Sequence, residues 1–178
     1  MTAQGRTIVV MGTCGVGKTT LAAALARRTG RPFLEGDSFH PPQNVAAMRA
    51  QRPLTDEMRA GWLDAIAAAA RATPGAIVSC SALKESYRDR LRAGIGPITL
   101  IHLYGDRALL AERMLARTDH FMPVSLLDSQ LALLEPPAPG PDCLHLDVAA
   151  PTGRLVDAAL AFLGAGVLST HDMSDGGN

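Results

Sequence analysis

The segment Gly12-Thr13-Cys14-Gly15-Val16-Gly17-Lys18-Thr19 satisfies the spacing G-x-x-x-x-G-K-[ST] of a phosphate-binding loop. Each position has a physical reason. Glycines let the backbone curl with its N–H groups turned inward, and the helix that follows adds its positive end, so the loop forms a cradle for phosphate oxygens. Lys18 then reaches the β- and γ-phosphates of ATP and the Thr19 hydroxyl ligates Mg²⁺, with Thr20 beside them as a further nucleotide contact. The apolar run Ile8-Val9-Val10-Met11 precedes the loop and an Ala/Leu-rich helix follows it, which separates a phosphate loop from an ordinary glycine-rich turn. Cys14 fills a free loop position that needs only a small side chain.

A second constellation follows the second apolar run. Glu35-Gly36-Asp37-Ser38-Phe39-His40-Pro41 places two carboxylates two residues apart at a strand end facing the loop. A carboxylate there can take the proton of an attacking hydroxyl, the role assigned to Asp37, while Glu35 holds Mg²⁺ through a water. The plain alternative is that both merely cap turns. His40 neighbours Asp37 and is read as a contact to the acceptor. Guanine-reading and switch elements have no candidates: Asn occurs only at Asn44 and Asn178, neither followed by Lys-x-Asp, and no Asp is followed by x-x-Gly. The loop therefore reads as that of an ATP-dependent kinase.

These groups need a scaffold. Thr7–Met11, Pro32–Leu34, Ala76–Cys80, Ile98–Leu103 and Cys143–Val148 read as strands buried on both faces, because they lack polar alternation. Helical patterns lie between them near Lys18–Arg28, Thr55–Ala72, Lys84–Arg92, Asp106–Ala116 and Thr152–Phe162, with Gly30, Pro74-Gly75 and Gly94 placed to stop helices. The alternation predicts an α/β fold: a mainly five-stranded parallel sheet in a three-layer sandwich, with ligands at the carboxyl ends of the strands. Two stretches break the rhythm. An insertion with a short helix, spanning about residues 38–63 with the helix that follows, is the expected acceptor-binding region, and residues 117–124 form the expected lid. Residues 1–164 make one kinase domain, and the segment 165–178 reads as a disordered tail.

Composition narrows the partners. With 178 residues, and Lys+Arg and Asp+Glu both at 17, there is no basic field of the kind nucleic-acid binding requires. No apolar stretch approaches the roughly 20 residues that cross a bilayer, so no membrane role is expected. Cys14, Cys80 and Cys143 are widely spaced and odd in number, which suggests neither a disulfide framework nor a zinc site and fits a cytoplasmic protein. His102 and His145 sit in apolar strands and read as packed or edge residues.

The wider pattern resembles the short, P-loop type of gluconokinase. It comprises Gly36-Asp37-x-x-His40-Pro41, Asn44-x-x-x-Met48 and Pro53-Leu54-x-Asp56-x-x-Arg59-x-x-Trp62-Leu63. It continues through Cys80-Ser81-Ala82-Leu83-Lys84-x-x-Tyr87-Arg88-Asp89, His120-Phe121, Gln130 and Leu134-Glu135, so the likeness runs from about Thr7 to Leu163. It implies D-gluconate as acceptor, 6-phospho-D-gluconate and ADP as products, and a fold similar to shikimate and nucleoside monophosphate kinases. Asp37 is the implied base. Arg59, Lys84 and Arg88 are the implied holders of the acceptor's carboxylate and hydroxyls, with Ser81 and His120 also on the acceptor side. In kinases of similar fold, arginines placed like Arg113 and Arg117, four apart on one helix face ahead of the lid, stack on adenine and swing onto the transferring phosphoryl group. Similar enzymes also lead one to expect a homodimer. The chain departs from the family's usual pattern at Glu35, Ala47, Met58 and Gly61, which leaves another aldonate or shikimate as a rival acceptor. A nucleotide-binding regulatory protein is a more distant alternative.

Overall fold

The computed structural model describes residues 5–50, 52–116 and 124–169. Its five strands are β1 (Thr7–Met11), β2 (Phe33–Glu35), β3 (Ile77–Ser79), β4 (Ile98–Tyr104) and β5 (Cys143–Asp147). All neighbours pair in parallel in the order β2-β3-β1-β4-β5. Each expected strand is present, with ends displaced by a residue or so, because short apolar runs buried on both faces leave few other placements.

Seven α-helices are described, α1 (Lys18–Thr29), α2 (Pro42–Arg49), α3 (Asp56–Ala72), α4 (Glu85–Ile95), α5 (Arg107–Leu115), α6 (Val124–Leu133) and α7 (Thr152–Ser169), with a 3₁₀ turn at Gly36–Phe39. The alternation of β1 side chains builds the three layers. Ile8 and Val10 enter one core with Leu21 and Leu25 of α1 and Val156 and Ala159 of α7. Val9 and Met11 enter the other with Trp62, Leu63 and Ile66 of α3 and Leu91 of α4. Each such aliphatic side chain, taken fully out of water, contributes about 1.5–3 kcal/mol before entropy is counted.

Local chemistry sets the helix ends. The Thr55 hydroxyl caps α3 by accepting the Met58 N–H at 3.3 Å, and Asp56 and Glu57 sit in the first turn, where a helix favours negative charge. Two expectations are corrected. Gly94 does not stop a helix: α4 runs through it to Ile95, because a Cβ at 94 would stand 2.6 Å from the Ala67 Cβ on α3, so glycine is there for close packing. The tail does not begin at 165 either. Helix α7 continues past Leu163 to Ser169 in spite of Gly164 and Gly166, because adding residues to a helix already nucleated is far easier than starting one.

The topology fixes where a ligand goes. Helix α1 leaves the end of β1 toward one face, and α4 leaves the neighbouring β3 toward the other. The crevice between the carboxyl ends of β1 and β3 is the switch point of the sheet, where open α/β folds bind ligands.

Candidate active site

The phosphate loop emerges from β1 into this crevice. Gly12 passes so close to β4 that a Cβ would lie 2.4 Å from the Leu103 carbonyl oxygen, at a φ of 141° that other residues avoid. Its N–H donates to the Ser81 carbonyl at 3.3 Å, which binds the loop to the segment after β3. Lys18 Nζ donates to the Thr13 carbonyl at 2.9 Å, so the ammonium is held across the loop. Burial lowers the Lys18 pKa, and Asp37 is the largest of the charges that oppose this. Thr19 and Thr20 open α1 with exposed side chains.

A cavity of about 300 Å³ adjoins the loop, lined by Gly15, Gly17, Thr20, Arg113, Ala150 and Thr152 among others. Arg113 is anchored there by donating to the Val148 carbonyl at 2.7 Å. A larger cleft of about 690 Å³ is lined by residues such as Arg92, Ile98, Leu100, Pro137 and Cys143, and no predicted site residue lines it. Volume is thus a poorer guide to this site than the chemistry of its walls.

At the end of β2, Glu35 Oε1 accepts hydrogen bonds from the Ser79 hydroxyl and, at 3.5 Å, from the Asp37 N–H. Asp37 is exposed, and His40 Nε2 stands 4.0 Å from its Oδ1. The His40 ring stacks on Trp62 at 4.3 Å between centroids and 11° between planes. The Trp62 indole N–H donates in turn to the Gly36 carbonyl at 2.8 Å. Trp62 is therefore a core residue that also holds the His40 ring.

The cations expected on the acceptor side divide. Arg59 of α3 and Lys84, just before α4, lie over the Tyr87 ring at 5.7 and 5.4 Å. Both face Asp56, at 3.9 Å for Arg59 and 2.8 Å for Lys84. Hydrogen bonds from Lys84 and Tyr87 hold the Asp56 pKa below the usual carboxylate range. Arg88 is a correction. It is 1% exposed, and all five guanidinium N–H groups have protein acceptors: the Ala82, Leu83 and Glu135 carbonyls and the Glu85 carboxylate. It braces the 82–84 segment, where Ala82 sits at a φ of 42°, and it offers no donor to an acceptor molecule. Ser81 lies at the end of β3 beside the loop, while Arg117 and His120 fall outside the described residues.

Sequence reasoning quoted Asn44, Asp56 and Gln130 without giving them roles. Gln130 of α6 accepts the Cys14 N–H with its Oε1 at 2.7 Å, which ties the phosphate loop to the helix that follows the expected lid, itself almost wholly outside the described residues. Asn44 is fully buried beneath His40. Their signal was present in the family pattern, but the partners lie on other segments.

His102 is packed, as expected. It faces His145 across β4 and β5 with Nδ1 atoms 3.2 Å apart, and burial, then His145 and Arg88, push its pKa down from 6.5 to about 4. A group whose folded pKa is depressed binds protons more readily when unfolded, so its contribution to stability is lost as pH falls from about 6.5 toward 4. The thermal midpoint should drop over that interval, and His102→Gln should flatten the drop relative to wild type. Parallel curves for the two proteins would remove His102 as the cause.

A phosphate loop at the switch point, a carboxylate within range of its lysine and paired cations on the same rim define a P-loop phosphotransferase for a small anionic acceptor. The comparisons with known proteins agree. A family model described as an AAA domain matches residues 8–122. A gluconokinase of Gluconobacter oxydans (strain 621H) is 50% identical over 136 residues, covering 74% of this chain and 76% of that one. The thermoresistant gluconokinase of Escherichia coli (strain K12) is 36% identical over 163 residues, covering 89% and 93%. The crystal structure of a gluconokinase from Sinorhizobium meliloti 1021 superposes with a TM-score of 0.88 at 44% identity, covering 96% and 98%. The chain belongs to the gluconokinase family of P-loop kinases.

Proposed function

We propose that the protein transfers the γ-phosphoryl group of ATP to the 6-hydroxyl of D-gluconate, giving 6-phospho-D-gluconate and ADP. The observation that carries this reading is the arrangement of opposite charges around one crevice: Lys18 in the loop, Asp37 within its electrostatic reach, and Arg59 with Lys84 beyond. The nucleotide phosphates lie in the loop formed by Gly12 to Thr19, and adenine lies in the cavity beside Thr20 and Arg113. Asp37 takes the hydroxyl proton as the oxygen attacks the γ-phosphorus and the bond to the β-γ bridging oxygen breaks. Lys18 stabilises the charge on the phosphoryl oxygens, a task Arg117 shares. The carboxylate of gluconate competes with Asp56 for Arg59 and Lys84, Arg59 being the better clamp because its fork is bidentate. Ser81, His40 and His120 complete the acceptor side.

Hard oxygen donors suit Mg²⁺, which binds proteins through few groups alongside phosphates and waters. Thr19 would hold it directly and Glu35 through a water, since Ser79 and the Asp37 N–H engage Glu35 Oε1 and leave Oε2 for that contact. Bound there, the ion neutralises phosphate charge. Cys14, Cys80 and Cys143 form no disulfide among the described residues, consistent with a cytoplasmic protein, and no helix among the described residues is long and apolar enough to cross a membrane.

The test is coupled ADP release from the purified protein with Mg-ATP, comparing D-gluconate, L-idonate, shikimate and no acceptor. We expect strong stimulation by D-gluconate alone. Preference for another acceptor would overturn the substrate, and no stimulation by any would favour the regulatory reading.

A further inference from the structure

We propose that Asn44 is a positioning residue for phosphoryl transfer: it fixes His40 in the tautomer protonated at Nε2, so that a neutral imidazole donates into the space beside Asp37. The inference deepens the proposed function and rests on Asp37 being the base.

The geometry settles the proton positions. Asn44 Nδ2 is 3.0 Å from the Met58 carbonyl oxygen, and only the NH₂ end of an amide can face a carbonyl. The same nitrogen is 3.3 Å from His40 Nδ1. Its two protons serve both acceptors. A proton on His40 Nδ1 would set two donors head to head, so Nδ1 carries the lone pair and the ring proton sits on Nε2. Stacking on Trp62 holds the ring plane, and the Asn44 bond selects which edge faces inward. Burial lowers the His40 pKa, against Asp37 and with Arg59, the charges that face it. The neutral form therefore persists.

His40 Nε2 and Asp37 Oδ1 are 4.0 Å apart, too far for a good hydrogen bond and suited to a third group between them. A hydroxyl oxygen about 2.8 Å from each would accept from Nε2–H and donate to the carboxylate, with its two bonds near a right angle. That is how the hydroxyl of the acceptor must lie before Asp37 takes its proton. His40 thus holds the oxygen, Asp37 holds the hydrogen, and Asn44 ensures that His40 presents a donor.

Asn44 also has a cost that packing does not explain. It is 0% exposed, and its Oδ1 has no hydrogen-bond partner among the described residues. A leucine of similar shape would leave no orphaned acceptor there. The amide is retained at a position where its NH₂ group performs the task described.

The test begins with ¹⁵N chemical shifts of the imidazole nitrogens in the ligand-free wild-type protein. We expect His40 to show one protonated Nε2 and one bare Nδ1 near neutral pH, and an Nδ1–H ring would overturn the proposal. This readout needs no acceptor, so it stands apart from the identity of the substrate. In Asn44→Leu the two tautomers should mix, and kcat, measured with whichever acceptor wild type prefers, should fall roughly tenfold with KM for ATP unchanged. In Asn44→Asp the new carboxylate accepts from Nδ1–H and raises the His40 pKa, so Nε2 carries a proton only in the imidazolium, and kcat should fall as pH rises through that pKa, a limb absent from wild type. A pure Nε2–H ring or wild-type kcat in Asn44→Leu would overturn the proposal. Should that variant not fold, the wild-type shifts and Asn44→Asp decide it.

Discussion

Lys18→Ala should lower kcat for every acceptor by on the order of 10²–10³-fold or more, the loss expected when a positioned charge on developing negative oxygens is removed. The lysine is held over the loop by the Thr13 carbonyl, while the loop's shape is set elsewhere: by the approach of Gly12 to Leu103, its bond to Ser81, and the Cys14 bond to Gln130. The backbone cradle should therefore survive the substitution. Burial also works against the ammonium, so its removal relieves a desolvation cost rather than opening a fault in the core. Thermal stability should hold or rise while transfer collapses, the pattern of a residue placed for chemistry at some expense to stability. Steady-state rates across the acceptor panel, paired with a melting curve, check both halves. Wild-type turnover would sink the phosphate-loop reading, and a collapse in stability would make Lys18 structural.

What the sequence disclosed depended on how local each determinant is. The phosphate loop was legible because its residues are contiguous and their spacing answers to one ligand. The strands were legible because burial on both faces leaves a run such as Ile8-Val9-Val10-Met11 with no polar residue. Gly94 was misread because glycine both ends helices and permits close packing, and only the facing Ala67 decides between them. Helix α7 was cut short because composition alone does not reveal where a helix already packed along its first turns will stop. Arg88 was an implied acceptor contact by the family resemblance. The acceptors that consume its donors include the Glu135 carbonyl, 47 residues away, and no local pattern announces that.

The same limit hid the supporting residues of the site. Asp56 has its meaning only once Lys84, 28 residues on, is folded against it. Gln130 reaches the phosphate loop across 116 residues of chain. Residues that touch ligand tend to declare themselves by type, whereas residues that aim them declare themselves by partner. The residues of the proposed acceptor face are held positions: Arg59 and Lys84 over Tyr87, His40 on Trp62, and Asp37 on the turn that Gly36 begins.

Asp37→Asn should leave MgATP affinity nearly unchanged and lower kcat by about 10²–10⁴-fold, the range that a positioned base contributes. Asn keeps the shape but cannot accept the hydroxyl proton. The charge has a second task, because Asp37 is the largest influence holding the Lys18 pKa up against burial. Removing it lets that pKa fall further, so the residual activity of the variant should be lost at a lower pH on the alkaline side than in wild type. The two effects separate along the pH axis. Where Lys18 is fully protonated in both proteins, the deficit that remains measures the base alone, and the displacement of the alkaline limb measures the coupling of carboxylate to lysine. Full profiles of kcat against pH for wild type and Asp37→Asn resolve both. An unchanged kcat near neutral pH would remove Asp37 from the base role. An unmoved alkaline limb would mean that the limb reports a group other than Lys18.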